Sequence, residues 1–228
     1  MRAIALLPVI AVGCGLPSIY AKKPPASVED DAVVRAWVEE IREQGEAGDW
    51  LLTRNYAFAG DVIAGVSLGE SLSHAALYDK DRDMVIEATS PRVQAVPLEN
   101  FVRRYRRVIL ARPNWLGAEE QNRSVDRARA LVGRPYDWSG LVGIDDDDKY
   151  YCSEFVIDVT NVDGTVRKPL LVTPAALLAV THVIFDGGIR DEQRTRKWAR
   201  SYWQAQEAAR AMVVRTSSRV GAGPLVMD

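Results

Sequence analysis

Cys152 stands where a polar stretch gives way to an apolar one. The acidic run Asp145–Asp148 and Lys149-Tyr150-Tyr151 precede it, and Phe155, Val156 and Val159 follow at helical spacing. That spacing predicts a helix beginning at about the cysteine, where free backbone N–H groups and the positive helix end favour a thiolate. A thiolate nucleophile needs a base that takes a proton near neutrality, and a group that orients the base. The chain has two histidines. His74 lies in a strand-like stretch, Ser73–Tyr78, close to a loop. His182, within Val180–Ile184, reads as structural and is the only replacement base. Glu87 sits between Ile86 and Ala88 in a second strand-like stretch, where a carboxylate is costly unless it has a partner. Antiparallel pairing across a turn at Asp79–Asp83 would bring Glu87 near His74 if the two stand opposite each other.

The chemistry open to such a trio is acyl transfer. His74 deprotonates or ion-pairs with Cys152, the thiolate attacks a carbonyl, and Glu87 accepts a hydrogen bond from the second ring nitrogen and fixes its tautomer. The Cys152 backbone N–H and one further donor, with Tyr56 as candidate, would hold the oxyanion. Tyr136 and Trp138 are candidate substrate contacts. Each residue also has a plain structural reading: Cys152 as a small buried hydrophobe, His74 as a satisfied core histidine, Glu87 as the partner of an arginine. Ser153 and Glu154 read as stabilisers of the first helical turn. Asp145–Asp148 lacks the spaced ligands of a calcium loop and reads as a solvated acidic loop. The proposed reaction calls for neither a metal nor a cofactor.

The elements that must position these residues are those of one globular unit. With 228 residues, 47% of them hydrophobic and 26% charged, the chain is long enough for one sizeable core. A net charge of -2 gives no basic field and argues against a nucleic-acid partner. Residues 1–21 read as an export signal: Arg2, then an apolar run from Ala3 to Val12 too short to span a bilayer. Ala11-Val12-Gly13-Cys14 resembles a lipobox, with Cys14 lipidated, the signal then being 1–13; cleavage after Ala21 is the alternative. The expected location is thus outside the cytoplasm, periplasmic or lipid-anchored in the cell envelope. Cys152 would then be the one remaining cysteine, and a lone free thiol in an oxidising compartment favours a functional role.

Residues 22–29 read as a linker and 30–190 as the domain. A helix is predicted from about Asp31 to Gln44, with Val34, Trp37, Val38 and Ile41 on one face, packing over the domain edge. Strands are predicted at Asp61–Val66, Ser73–Tyr78, Met84–Ala88, Val93–Val96, Arg107–Ala111 and Thr181–Phe185. Leu98–Tyr105 reads as a helical turn, Asn122–Val132 as a helix, and Thr173-Pro174 as the start of another. Arg103, Arg104, Arg106 and Arg107 read as a solvated edge. Residues 191–228 read as a charged helical extension, from Asp191 to Val214, and a loose tail. The fold class is α+β, an antiparallel sheet or a small barrel-like meander packed against helices.

Four segments, Gly60-Asp61-Val62-Ile63, Ser73–Tyr78, Val85-Ile86-Glu87-Ala88 and Tyr150–Phe155, together resemble the circularly permuted NlpC/P60-type papain-like proteins, and most nearly the YiiX/YebB-like hydrolases. Val96–Phe101 and Gly133–Asp137 match further segments. The resemblance spans roughly Gly60 to Thr181. It implies a permuted papain-like core with Cys152 as nucleophile, His74 as base and Glu87 as the orienting residue. It also implies hydrolysis of a peptide or amide bond, with a small peptide, a cell-wall peptide or a lipid amide as substrate. Related groups act on lipid esters or transfer acyl groups, and an inactive envelope binding module on the same fold is the alternative from outside enzymology.

Overall fold

The computed structural model describes residues 23–56, 72–140, 146, 148–164, 166, 172–191 and 204. Helix α1 (Val28–Gln44) is followed by strands β1 (Trp50–Asn55), β2 (His74–Asp79), β3 (Met84–Thr89) and β4 (Arg92–Pro97). Then come the short helix α2 (Leu98–Arg104), strand β5 (Tyr105–Pro113), helix α3 (Ala118–Ala130), helix α4 (Cys152–Thr160) and strand β6 (Thr181–Asp186). The strands form one antiparallel sheet in the order β4-β3-β2-β1-β5-β6. The α+β expectation holds: an antiparallel sheet carries helices on both faces.

The alternation of side chains along the strands sorts the core into two layers. Leu52, Ala75, Leu77, Ile86, Ala88, Ile109 and Ala111 face α3 and α4, meeting Val125, Ala128, Phe155, Val156 and Val159. Leu51, Ala76, Tyr78, Val85, Val108 and Leu110 face α1 and α2, meeting Val34, Trp37, Val38, Ile41, Leu98, Phe101 and Val102. Each fully buried aliphatic or aromatic side chain contributes about 1.5–3 kcal/mol, so the sheet is held from both sides.

Several expectations are corrected here. Helix α1, starting at Val28 rather than Asp31, shares one sheet face with α2; Ser27 caps it, accepting from the Asp30 N–H at 3.1 Å, and Glu29, Asp30 and Asp31 suit its positive end. Helix α3 starts at Ala118, not Asn122. Thr173-Pro174 opens a 3-10 turn, Ala176–Val180, rather than an α-helix. The central strand β1 was not predicted at all. The arginines at the end of α2 and the start of β5 are more than a solvated edge: Arg103 pairs with Asp31 and Glu99, Arg104 with Glu87, and Arg107 with Asp186. The segments at 60–66 and 192–214 lie outside the described residues, apart from Gln204.

The chain after β6 ties the α1–α2 layer down. Gly187 passes so close to Trp37 that a Cβ would come within 2.5 Å of its ring. That approach delivers Arg190 into the interior, where its guanidinium donates to both Asp30 oxygens at 3.1 Å and to the carbonyls of Arg103 and Tyr105 at 2.8 Å. The Arg103 carbonyl lies at the negative end of α2, so a buried cation meets both a carboxylate and a helix terminus.

Candidate active site

Cys152 is the first residue of α4, and the chain that delivers it is pinned along the edge strand β4. Val93 N–H donates to Arg134 O at 2.8 Å and Gly133 N–H to Val93 O at 2.9 Å. Tyr136 then bridges Tyr150, and Asp137 N–H donates to Tyr150 O at 3.0 Å. Gly133 has φ +98, a conformation that a side chain would strain. Tyr151 precedes the helix, its hydroxyl accepting from Val172 N–H at 3.1 Å. Glu154 reaches back to accept from the Tyr151 N–H at 3.3 Å, so it stabilises the first turn as expected.

His74 opens β2 on the face that packs α1 and α2, whereas α4 lies on the other face. The two meet where β2 begins. There Cys152 Sγ lies 3.8 Å from the Ser153 hydroxyl, and His74 and the Ala75 N–H are near enough to act on the sulfur. The imidazole Nε2 lies 2.8 Å from Glu87 Oε2, which leaves Nδ1 as the ring nitrogen for Cys152. Cys152 is 6% exposed, His74 8% and Glu87 fully buried, so the trio is shielded from bulk water.

Glu87 does come to His74 across the turn at Asp79–Asp83, in a register that the sequence leaves open. Leu77 pairs with Ile86 and Tyr78 with Val85, so the ladder carried forward sets Ala76, not His74, opposite Glu87. His74 and Glu87 are diagonal neighbours on one face, a separation that long side chains bridge. Glu87 is also more heavily bound than a two-residue pairing implies. Its Oε1 accepts from Gln94 Nε2 at 2.9 Å and Arg104 Nη2 at 2.7 Å, and Oε2 lies 3.4 Å from the Tyr105 hydroxyl, which donates to it. The Tyr105 ring stacks on the imidazole, centroids 5.7 Å apart at 14°, with Phe101 beyond it.

Burial opposes charge on all three groups, and the hydrogen bonds and charges among them overcome it. On His74, the bonds to Cys152 and Glu87 push the imidazole up to about 9. On Glu87, His74, then Arg104 and Gln94, bring the carboxyl down to about 2. On Cys152, His74, the Ala75 N–H and Ser153 lower the thiol below its usual range. All three directions favour a thiolate beside an imidazolium over the neutral pair.

These shifts carry a stability prediction. A raised His74 contributes stability that is complete below its ordinary 6.5 and lost as pH rises through about 9. A depressed Glu87 contributes above its ordinary 4.5 and loses that contribution as pH falls through about 2. Both are complete between 4.5 and 6.5. The denaturation-midpoint gap between wild type and Glu87→Gln should be largest in that window and narrow above pH ~9; a gap constant from pH 5 to 10 would contradict the pairing.

The remaining candidates are placed as follows. Tyr56 donates its hydroxyl to Arg190 O at 2.5 Å, and burial pushes it up to about 12, so acting on an oxyanion would require leaving that bond. Tyr136 and Trp138 are half-buried and meet edge to face, centroids 5.0 Å apart, on the segment that leads toward Cys152. His182 is exposed on the edge strand β6 opposite Arg112, three strands from β2 and toward the far end of the sheet, so it is no substitute for His74. Asp146 pairs with Lys149 and Asp148 with Arg134. Among the described residues no group of three His, Cys, Asp or Glu side chains is disposed to hold a metal ion, and none of their helices is long and apolar enough to cross a membrane. Cys14 and the rest of residues 1–21 lie outside the described residues.

Sequence reasoning missed Arg104, Gln94, Tyr105 and Phe101. Gln94 had a signal, since pairing the two strands around the turn at Ser90-Pro91 sets it directly across from Glu87. Arg104 and Tyr105 had none, because their contact depends on where α2 ends.

Comparison with protein families matches residues 46–174 to a family described as "Permuted papain-like amidase enzyme, YaeF/YiiX, C92 family". Among solved structures, the crystal structure of the metalloprotein yiiX from Escherichia coli O157:H7 is similar in fold, with TM-score 0.51 and 19% identity over 62% of this chain and 97% of that one. No curated protein matches.

Proposed function

Because the chain belongs to the permuted papain-like amidase family, we propose that it cleaves an amide bond through a covalent thioester on Cys152. The observation that carries this reading is the continuous series from Glu87 through His74 to a thiol at the first turn of α4.

In this mechanism the Cys152 thiolate adds to the amide carbonyl carbon, forming the C–S bond and an oxyanion. The Cys152 backbone N–H, at the positive end of α4, donates to that oxyanion. His74 passes its Nδ1 proton to the leaving nitrogen, the C–N bond breaks, and the amine departs from the thioester. Water then attacks, gives a proton to His74, and releases a carboxylic acid as the thiolate re-forms. Glu87 holds the imidazole in the tautomer that both steps need.

The substrate class is a short peptide or other amide of the cell envelope. An exported chain, lipid-anchored through Cys14 or freed by cleavage after Ala21, would meet it there. The half-buried Tyr136–Trp138 pair supports a second reading, a lipid amide or ester whose acyl chain lies on those rings, with transfer to an acceptor other than water as a variant. The test is intact-mass measurement of the full chain mixed with cell-wall peptides, lipid amides and lipid esters. Wild type should gain the mass of one acyl group, lost on addition of hydroxylamine, while Cys152→Ala gains nothing. An enzyme that turns over amide with no adduct, even under rapid quench, would overturn the thioester; absence of turnover on every substrate would favour a binding module.

A further inference from the structure

The proposed chemistry engages one oxygen of Glu87. The other, Oε1, is held by two donors of different kinds. Gln94 stands directly across the β3–β4 ladder and is neutral. Arg104 is the last residue of α2, its guanidinium 2.7 Å from Oε1 and over the rings of Phe101 at 5.2 Å and Tyr105 at 5.4 Å. Tyr105 is the ring that stacks on His74. One side chain thus grips the far oxygen of the carboxylate and braces the wall of the imidazole's slot. Arg104 itself is 40% exposed, so it is not a buttress of the core.

We infer that Arg104 is a positioning residue of the active centre: it balances the charge of Glu87 when His74 gives up its proton, and it fixes the carboxylate so that Oε2 stays on His74. This rests on the cysteine–histidine reading above. In the resting state the thiolate, imidazolium, Glu87 carboxylate and Arg104 guanidinium sum to zero charge. When acylation consumes the thiolate and the imidazole loses its proton, Glu87 and Arg104 remain as a neutral pair. Without Arg104, a buried carboxylate would be left facing a neutral imidazole, so it would pull on the proton that His74 must release.

The charged and titratable groups facing Glu87 among the described residues are His74 from β2, Tyr105 from β5 and Arg104 from α2, with Cys152 from α4 beyond His74. Removing the one permanent cation favours the protonated form of each of the others. Both limbs of the pH dependence of Cys152 reactivity should therefore move upward together.

The experiment is the rate of Cys152 alkylation by iodoacetamide across pH, read by intact mass on the full chain, for wild type, Arg104→Gln, Arg104→Met and Arg104→Lys. Arg104→Gln should shift both limbs upward by roughly one pH unit. Arg104→Lys, keeping the charge, should restore most of the shift. Arg104→Met keeps the stem over the two rings and carries the test if Arg104→Gln does not fold. Limbs that stay in place while only stability or the plateau rate falls would reduce Arg104 to packing and overturn the proposal. A wild-type thiol that labels with a single limb near ~8.5 would instead take down the cysteine–histidine reading itself, and Arg104's part with it.

Discussion

Replacing Cys152 by alanine is expected to leave a folded protein whose turnover of an amide substrate falls by about four to six orders of magnitude. The size of the effect follows from the role: with no sulfur there is no thioester, and backbone donors alone leave only a small residual rate. The fold should survive because the sulfur's bonds are to His74, the Ala75 N–H and Ser153, not to the hydrophobic layer beneath. Alanine also removes a buried thiolate, so stability should change by no more than about 1 kcal/mol. A steady-state assay paired with a denaturation curve checks both halves. Activity within tenfold of wild type, in a protein of unchanged stability, would mean that another group is the nucleophile.

The second large effect is expected at His74. His74→Ala should lower kcat/KM by roughly 10²–10⁴-fold, the usual worth of a positioned acid–base group. The loss should exceed any caused by Glu87→Gln, because the glutamate acts only through the imidazole. His182 cannot compensate from its place on β6, so the loss should not be relieved by raising pH toward 7 or 8. Loss of the ring from its stack on Tyr105 should cost about 1–3 kcal/mol, while Glu87 keeps Arg104 and Gln94 as partners. Full activity in His74→Ala would contradict an imidazole base at this position.

The two residues at the centre were legible because the chain leaves few choices. It has two histidines and, beyond Cys14, one cysteine, and Glu87 is a carboxylate set in an apolar strand. The switch from acidic loop to helical pattern around Cys152 marks the start of α4. The heart of the sheet was not legible. Strand β1 reads Trp-Leu-Leu-Thr-Arg-Asn and is buried on both faces, so it lacks the alternation that marks a half-exposed strand. Its Leu-Leu pair fits a helix equally well. Register was equally hidden: a turn length places His74 near Glu87, but the side chains meet diagonally, and only the finished ladder decides that. The basic cluster around Arg104 reads as surface charge because composition cannot tell an arginine facing water from one turned onto a carboxylate 17 residues away, as Arg104 is onto buried Glu87. Arg190 shows the same limit, since its partners Asp30, Arg103 and Tyr105 come from two distant stretches of chain.

The central claim is that Cys152 is a thiolate at neutral pH because His74 makes it one. It is tested most directly by the pH dependence of Cys152 alkylation in wild type and in His74→Ala. In wild type, reactivity should rise well below the ordinary thiol value of ~8.5, hold a plateau through neutrality, and change again near the imidazole's value of about 9. In His74→Ala the plateau should vanish, leaving one limb shifted up to or beyond the ordinary thiol value, because burial is then opposed only by the Ala75 N–H and Ser153. Equal labelling of the two proteins at pH 7 would contradict the pair, and with it the mechanism built on it.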